Sequence, residues 1–192
     1  AVFKASQSGP IKLVFIITIK QWKKHHVSDA SIGLRLDIIK EIATKCGNLG
    51  IEFEVLECDW FEQIPELLLD FCLKNKIKQL WFNKETPIDE NLRDEKVTDL
   101  LHQSNIKVNA EPYDLVVSQP VFNLSDAPFK VFTAYYNKWL NMLQNQHNEV
   151  LAEPQKQADQ ILNDLTLLEK QNFEYRKDLW PCEFDAIKLR LN

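Results

Sequence analysis

From about residue 10 to residue 116, short apolar runs alternate with longer stretches of helical period. That order predicts βαβ units around a parallel sheet. Ile11 to Thr18 is nearly continuous in apolar character, as suits a strand covered on both faces. A polar loop, Lys20 to His26, follows, and Ser28 with Asp29 offers the N-cap of a helix running to about Cys46. Within it Ile32, Leu36, Ile39 and Ala43 recur at three- and four-residue spacings, and Gly47 with Asn48 supplies the stop. Ile51 to Leu56 alternates as a second strand. Asp59 then caps a helix with Phe61, Ile64, Leu67, Leu68 and Phe71 on one side, Pro65 being tolerated only near its start. Lys78 to Phe82 reads as a third strand and Asn83 to Ile88 as a loop. A helix from about Asp89 to Gln103 has its apolar stripe at Leu92, Val97, Leu100 and Leu101. Ile106 to Val108, continuing toward Val116, is the last strand.

Ser118 to Pro128 reads as loop, and Phe129 to Leu143 as a short aromatic-rich helix. After Gln144 the composition shifts to Gln, Asn, Glu and Lys with little apolar spacing before Ile161. Residues 144–178 therefore read as an interdomain linker behind an α/β unit of residues 1–143. Leu179-Trp180-Pro181 with Ala186, Ile187, Leu189 and Leu191 begins a further amphipathic helix over 179–192, the expected start of a second domain.

Composition narrows the classes. Of 192 residues 45% are hydrophobic and 27% charged, the balance of an ordinary globular domain. The apolar run Leu13 to Ile17 is closed by Thr18 and Lys20, far short of the roughly 18 residues that span a bilayer. With no signal-like start either, the chain reads as an intracellular, cytoplasmic protein without a membrane partner. A net charge of −5 gives it no sequence-independent attraction to nucleic-acid phosphates. The four glycines are too scattered for a phosphate-cradling loop. Cys46, Cys58, Cys72 and Cys182 lack zinc or redox spacing and read as buried reduced thiols, and no Ser-His-Asp or Cys-His constellation stands out.

Three segments carry a family resemblance. Lys20-Gln21-Trp22-Lys23-Lys24-His25-His26 is similar to a QWxxHH-type strand-exit loop. Phe82-Asn83-Lys84-Glu85 through Asp89-Glu90-Asn91-Leu92-Arg93-Asp94 is similar to a strand ending in aromatic-Asn before a helix that opens acidic-Glu-x-x-Arg-Asp. Phe129-Lys130-Val131-Phe132-Thr133-Ala134-Tyr135-Tyr136-Asn137-Lys138-Trp139 closely matches a YxVFTxFxxxW motif. Together they resemble the N-terminal domain of the photolyase and cryptochrome family, most of all bacterial cyclobutane pyrimidine dimer photolyases. Leu179-Trp180-Pro181 with Ala186 and Leu189 resembles the start of that family's helical domain, although Cys182, Phe184 and Asp185 depart from it.

The resemblance implies a Rossmann-like, doubly wound parallel sheet that holds a light-harvesting antenna, often methenyltetrahydrofolate. FAD and damaged DNA would bind the helical domain beyond this chain. By position, the antenna site would use His25, Asp89 and Glu90, with Trp22 either stacking on the ligand or closing the sheet end. A carboxylate such as Glu90 suits the amide and amine donors of a pterin ring, and both segments follow strand ends, where open α/β sheets bind ligands. Taken alone, His25 and His26 beside two lysines are solvated loop residues, and Asp89 and Glu90 complement a helix N-terminus. The aromatics at 129–139 then mark a buried helix face. The resemblance also implies that the family's first strand is absent, which would leave two half-sheets with unpaired inner edges, marginal alone and unable to repair DNA without the helical domain. A cryptochrome-type photoreceptor, or a stand-alone ligand-binding α/β remnant, is the competing reading.

Overall fold

The computed structural model describes residues 1–111, 117, 120–145 and 152–191. Its elements run α1 (Val2–Gln7), β1 (Lys12–Ile17), α2 (Ile19–Lys24), α3 (Asp29–Asn48), β2 (Glu52–Glu57), a 3-10 turn (Phe61–Gln63), α4 (Ile64–Lys74), β3 (Gln79–Asn83), α5 (Ile88–Gln103) and β4 (Lys107–Glu111). After these come α6 (Phe132–Asn145), α7 (Thr166–Glu169) and α8 (Phe184–Leu191). Strands and helices alternate through β4, and every strand pair is parallel. The fold is α/β.

The sheet is in two halves. β1 pairs with β2 in the register Lys12 to Glu52, and β3 with β4 in the register Gln79 to Lys107. Alternation along β1 divides its side chains between two cores. Leu13, Phe15 and Ile17 pack with Ile32, Leu36 and Phe53, while Val14 and Ile16 pack with the cluster built around Phe61, Leu68, Val97 and Leu101. Helices thus cover both faces of β1, which is why its sequence is apolar at consecutive positions.

Several elements form for reasons the sequence states. The Ser28 hydroxyl accepts from the Ser31 N–H and starts α3, with Asp29 in the first turn. Pro65 sits in the first turn of α4, where its missing N–H costs nothing. Other expectations are corrected. Gly47 and Asn48 lie inside α3. The stop falls at Gly50, whose φ of +68° closes a turn in which the Ile51 N–H donates to the Cys46 carbonyl at 2.8 Å. Asp59 does not cap the following helix; Gln63 Oε1 instead accepts from the Asp59 and Trp60 N–H groups, both at 2.9 Å. The segment expected as a loop from Lys20 to His26 is largely α2, because burying Trp22 against Phe15 draws it into a helical turn.

The last strand ends at Glu111, and its expected continuation through residues 112–116 lies outside the described residues, as do residues 118 and 119 of the loop that follows. Of the four thiols only Cys46 and Cys72 are buried. Helix α6 starts three residues later than expected, at Phe132, and runs to Asn145, and it buries none of its residues. Phe132, Tyr136 and Trp139 instead stack on one another at 6.0 and 6.2 Å between ring centroids.

The polar segment from residue 152 is laid against the end of α3 and the outer edge of β2. The Gln157 N–H donates to the Leu49 carbonyl and the Ile161 N–H to the Gly47 carbonyl. Asn163 accepts from the Phe53 N–H at 2.9 Å and donates to the carbonyls of Ala43 and Ile51. A β-carbon on Gly47 would meet the Ile161 carbonyl oxygen at 2.5 Å, so only glycine allows this approach.

Candidate functional site

The ends of β1 and β3 turn into α2 and toward α5, and these exits converge. His25 is the residue capping α2, while Asp89 and Glu90 stand in the first turn of α5. His25 Nε2 lies 3.1 Å from Asp89 Oδ2 and 2.9 Å from Gln21 Nε2, and its ring meets Phe61 edge-on at 6.0 Å. Gln21 belongs to the same helix as His25, whereas Asp89 belongs to α5, and both approach the one ring nitrogen. The imidazole therefore bridges two elements that are distant in sequence.

A cavity of about 490 Å³ opens beside this bridge. Trp22, His25, Arg35, Phe61 and Glu90 are in its wall, with Arg93 and Asp94. Three of the four expected residues thus share one cavity. Asp89 does not line it and faces a smaller recess with Gln21 and Lys96, meeting the cavity's His25 at 3.1 Å. Trp22 is almost fully buried beside Phe15 of β1, with the Arg35 guanidinium 4.7 Å from its ring centroid, and stands in the cavity wall.

The carboxylates give the cavity its chemistry. Glu90 Oε2 and Asp94 Oδ2 are buried without a hydrogen-bond partner. Asp94 Oδ1 accepts from Arg93 Nε at 2.8 Å and Nη2 at 2.7 Å, and the Arg93 guanidinium lies 4.9 Å over the Phe61 ring. Burial pushes the Asp94 carboxyl up, Arg93 pulls it down and the neighbouring Glu90 charge adds to the rise, which is the net direction. Two acceptor atoms are thus left for donors from an occupant, since a buried oxygen without a partner carries a desolvation penalty. Sequence reasoning passed over Arg93 and Asp94, although both stand in the motif that picked out Glu90. Gln21, one helical turn before His25, stands in the motif that picked out His25 and was likewise passed over, while Phe61 gave no signal for the site, because only the fold brings it to His25. Among the described residues no group of histidine, cysteine and carboxylate side chains could hold a metal ion.

Comparison with known proteins gives this geometry a context. Residues 1–157 match the family model described as DNA photolyase.

This chain belongs to the DNA photolyase family.

It is 28% identical over 194 residues to the deoxyribodipyrimidine photo-lyase of Buchnera aphidicola subsp. Acyrthosiphon pisum, covering 97% of this chain and 40% of that protein. With the Escherichia coli K12 deoxyribodipyrimidine photo-lyase it shares 26% over 152 residues, 78% of this chain and 31% of the relative. The Vibrio cholerae protein of the same name aligns at 22% over 200 residues, covering 42% of its length. This photolyase-family chain thus spans less than half the length of these curated relatives. No helix among its described residues is long and apolar enough to cross a membrane.

Proposed function

We propose that this chain is the light-harvesting antenna domain of a deoxyribodipyrimidine photolyase, holding a reduced folate of the methenyltetrahydrofolate type in the cavity beside His25 and Glu90. The observation that carries the reading is the unpartnered Glu90 Oε2 in a cavity with an imidazole and aromatic walls. A pterin presents a flat ring with amine and amide donors on one edge. Glu90 accepts from that edge, His25 borders the ring, and Trp22 and Phe61 supply the apolar wall that excludes water. Asp89 acts at one remove by holding the His25 ring. The bound folate supplies absorption in the near ultraviolet.

The flavin and the damaged DNA belong, in this proposal, to the greater part of the relatives' length that this chain does not span. The chain alone is therefore not expected to repair pyrimidine dimers, and the complete protein works in the cytoplasm. A titration of the chain with methenyltetrahydrofolate, followed by absorbance retained with the protein after filtration, tests the site. Saturable retention weakened about tenfold or more by Glu90→Gln, and also weakened by His25→Ala, is the expected outcome, a tenfold loss being about 1.4 kcal/mol. Equal retention by wild type and both variants would remove the assignment.

A further inference from the structure

The wall of the cavity beside His25 carries more negative than positive charge. Three carboxylates, Glu85, Glu90 and Asp94, stand in it with two guanidiniums, Arg35 and Arg93. His25 does not reverse the balance, because any proton on its ring is matched by Asp89, whose Oδ2 lies 3.1 Å from Nε2 just outside the cavity.

Neither guanidinium reaches the buried carboxylate oxygens. Arg93 gives Nε and Nη2 to Asp94 Oδ1, and Nη2 lies 3.7 Å from Glu85 Oε1. Arg35 lies against the Trp22 ring and forms no ion pair among the described residues. Glu85 is more than half exposed, so water solvates its charge. Glu90 Oε2 and Asp94 Oδ2 have neither water nor a hydrogen-bond donor.

Their placement on α5 sharpens the imbalance. Residues four apart lie one turn from each other on one helix face, and like charges so placed repel. Glu90 and Asp94 are such a pair, and the Asp94 side chain is only 15% exposed, so solvent screens the repulsion poorly. Burial is the main cause that holds the Asp94 carboxyl above its ordinary value, with the Glu90 charge adding to it against the pull of Arg93. A neutral donor would satisfy one oxygen and leave the excess charge in place. A cation removes both penalties.

Reduced folates occur in both charge states. At the methenyl level a one-carbon bridge joins N5 and N10 in a planar amidinium with a full positive charge. At the 5-formyl level the same pterin and glutamate lack that charge. The cavity, about 490 Å³, is of a size that takes such molecules.

We propose that Asp94, together with Glu90, makes this cavity selective for charge, taking a planar cationic reduced folate in preference to uncharged ones with the same pterin. The inference rests on the antenna reading and deepens it, since Glu90 meets the pterin edge there and Asp94 supplies the counter-charge of the bridge. Arg35, the wall cation without a carboxylate partner, works in the opposite sense.

Calorimetric titration of the full chain with methenyltetrahydrofolate and with 5-formyltetrahydrofolate tests the selectivity. Wild type should bind the cationic ligand about tenfold or more tightly than the formyl ligand. Asp94→Asn keeps an oxygen for Arg93 but removes the negative charge. It should weaken the methenyl ligand about tenfold and the formyl ligand less than about twofold. Arg35→Gln removes a positive charge and should strengthen the methenyl ligand about threefold or more with the formyl ligand unchanged. A misfolded variant cannot produce that gain. Equal affinities in wild type, equal losses of both ligands in Asp94→Asn, or a methenyl affinity that does not rise in Arg35→Gln would each overturn the inference and leave the antenna reading standing. Binding of neither ligand by the folded wild-type chain would remove the antenna reading, and the inference with it.

Discussion

Asn163 serves three backbone groups at once, the Phe53 N–H and the carbonyls of Ala43 and Ile51. Its amide occupies the outer edge of β2, where a strand would otherwise present an open ladder. Replacing it by alanine strands these groups and should cost about 1–3 kcal/mol, read as a lower urea midpoint without a change in slope. Asn163→Asp, which keeps only the accepting half, should recover part of that loss. The same scale governs the thiols. Burial pushes Cys72 up to about 11, and its side chain has no exposed surface, so near pH 8 it should label only when the domain opens. Cys182, half-buried in the tail, should label in the folded chain. Nothing in the spacing of the four cysteines separates these two behaviours, because accessibility is a property of the packed helices around Cys72.

The tail is also held to α3 as an element. Asp37 on α3 receives Lys40 at 3.0 Å, the Tyr175 hydroxyl at 3.2 Å and Lys177 at 2.5 Å. Burial raises its carboxyl, but the hydrogen bonds and charges of Lys177 and Lys40 outweigh it and the net direction is down. A depressed carboxyl contributes stability that is complete above its unfolded value of about 3.9 and is lost as pH falls through the lower folded value. Amide protection around residues 173–177, corrected for intrinsic exchange, should therefore hold near neutral pH and fall below about pH 4. Asp37→Asn should be weaker throughout and lose that acid step. Helix α6 shows the reverse relation of pattern to packing. Its periodicity announces a helix with an aromatic face, and the helix is there, yet the rings stack on each other because periodicity specifies a face and not the surface that covers it.

At the scale of the whole molecule, two cores flank the β1–β2 half-sheet, and both of its strands touch both, through Leu13, Phe15, Phe53 and Val55 on one side and Val14, Ile16 and Leu56 on the other. Leu101 is fully buried in the second core, so Leu101→Ala should cost about 2–5 kcal/mol. That loss should fall on amide protection in α4 and α5, which build the second core, while the α3 amides keep theirs. A uniform loss across both would show the cores to be one cooperative unit. The same division explains the His25 site, which draws α2 from beside one half-sheet and α5 from beside the other.

The sequence by itself determined the order and type of the alternating elements, their parallel pairing, the N-cap at Ser28, the family, and the choice of Trp22, His25, Asp89 and Glu90 as a candidate site. Periodicity, capping chemistry and short motifs are local, so one chain read from end to end contains them. Only the tertiary structure decided that Lys20 to Lys24 is helical, since burial of Trp22 overrides the polar composition there. It alone placed Asp89 behind His25, outside the larger cavity, and brought Arg93, Asp94 and Phe61 into one wall. It also laid the polar segment around Asn163 against β2. These features depend on which surfaces meet when elements far apart in the chain pack together, and a one-dimensional pattern does not record that meeting.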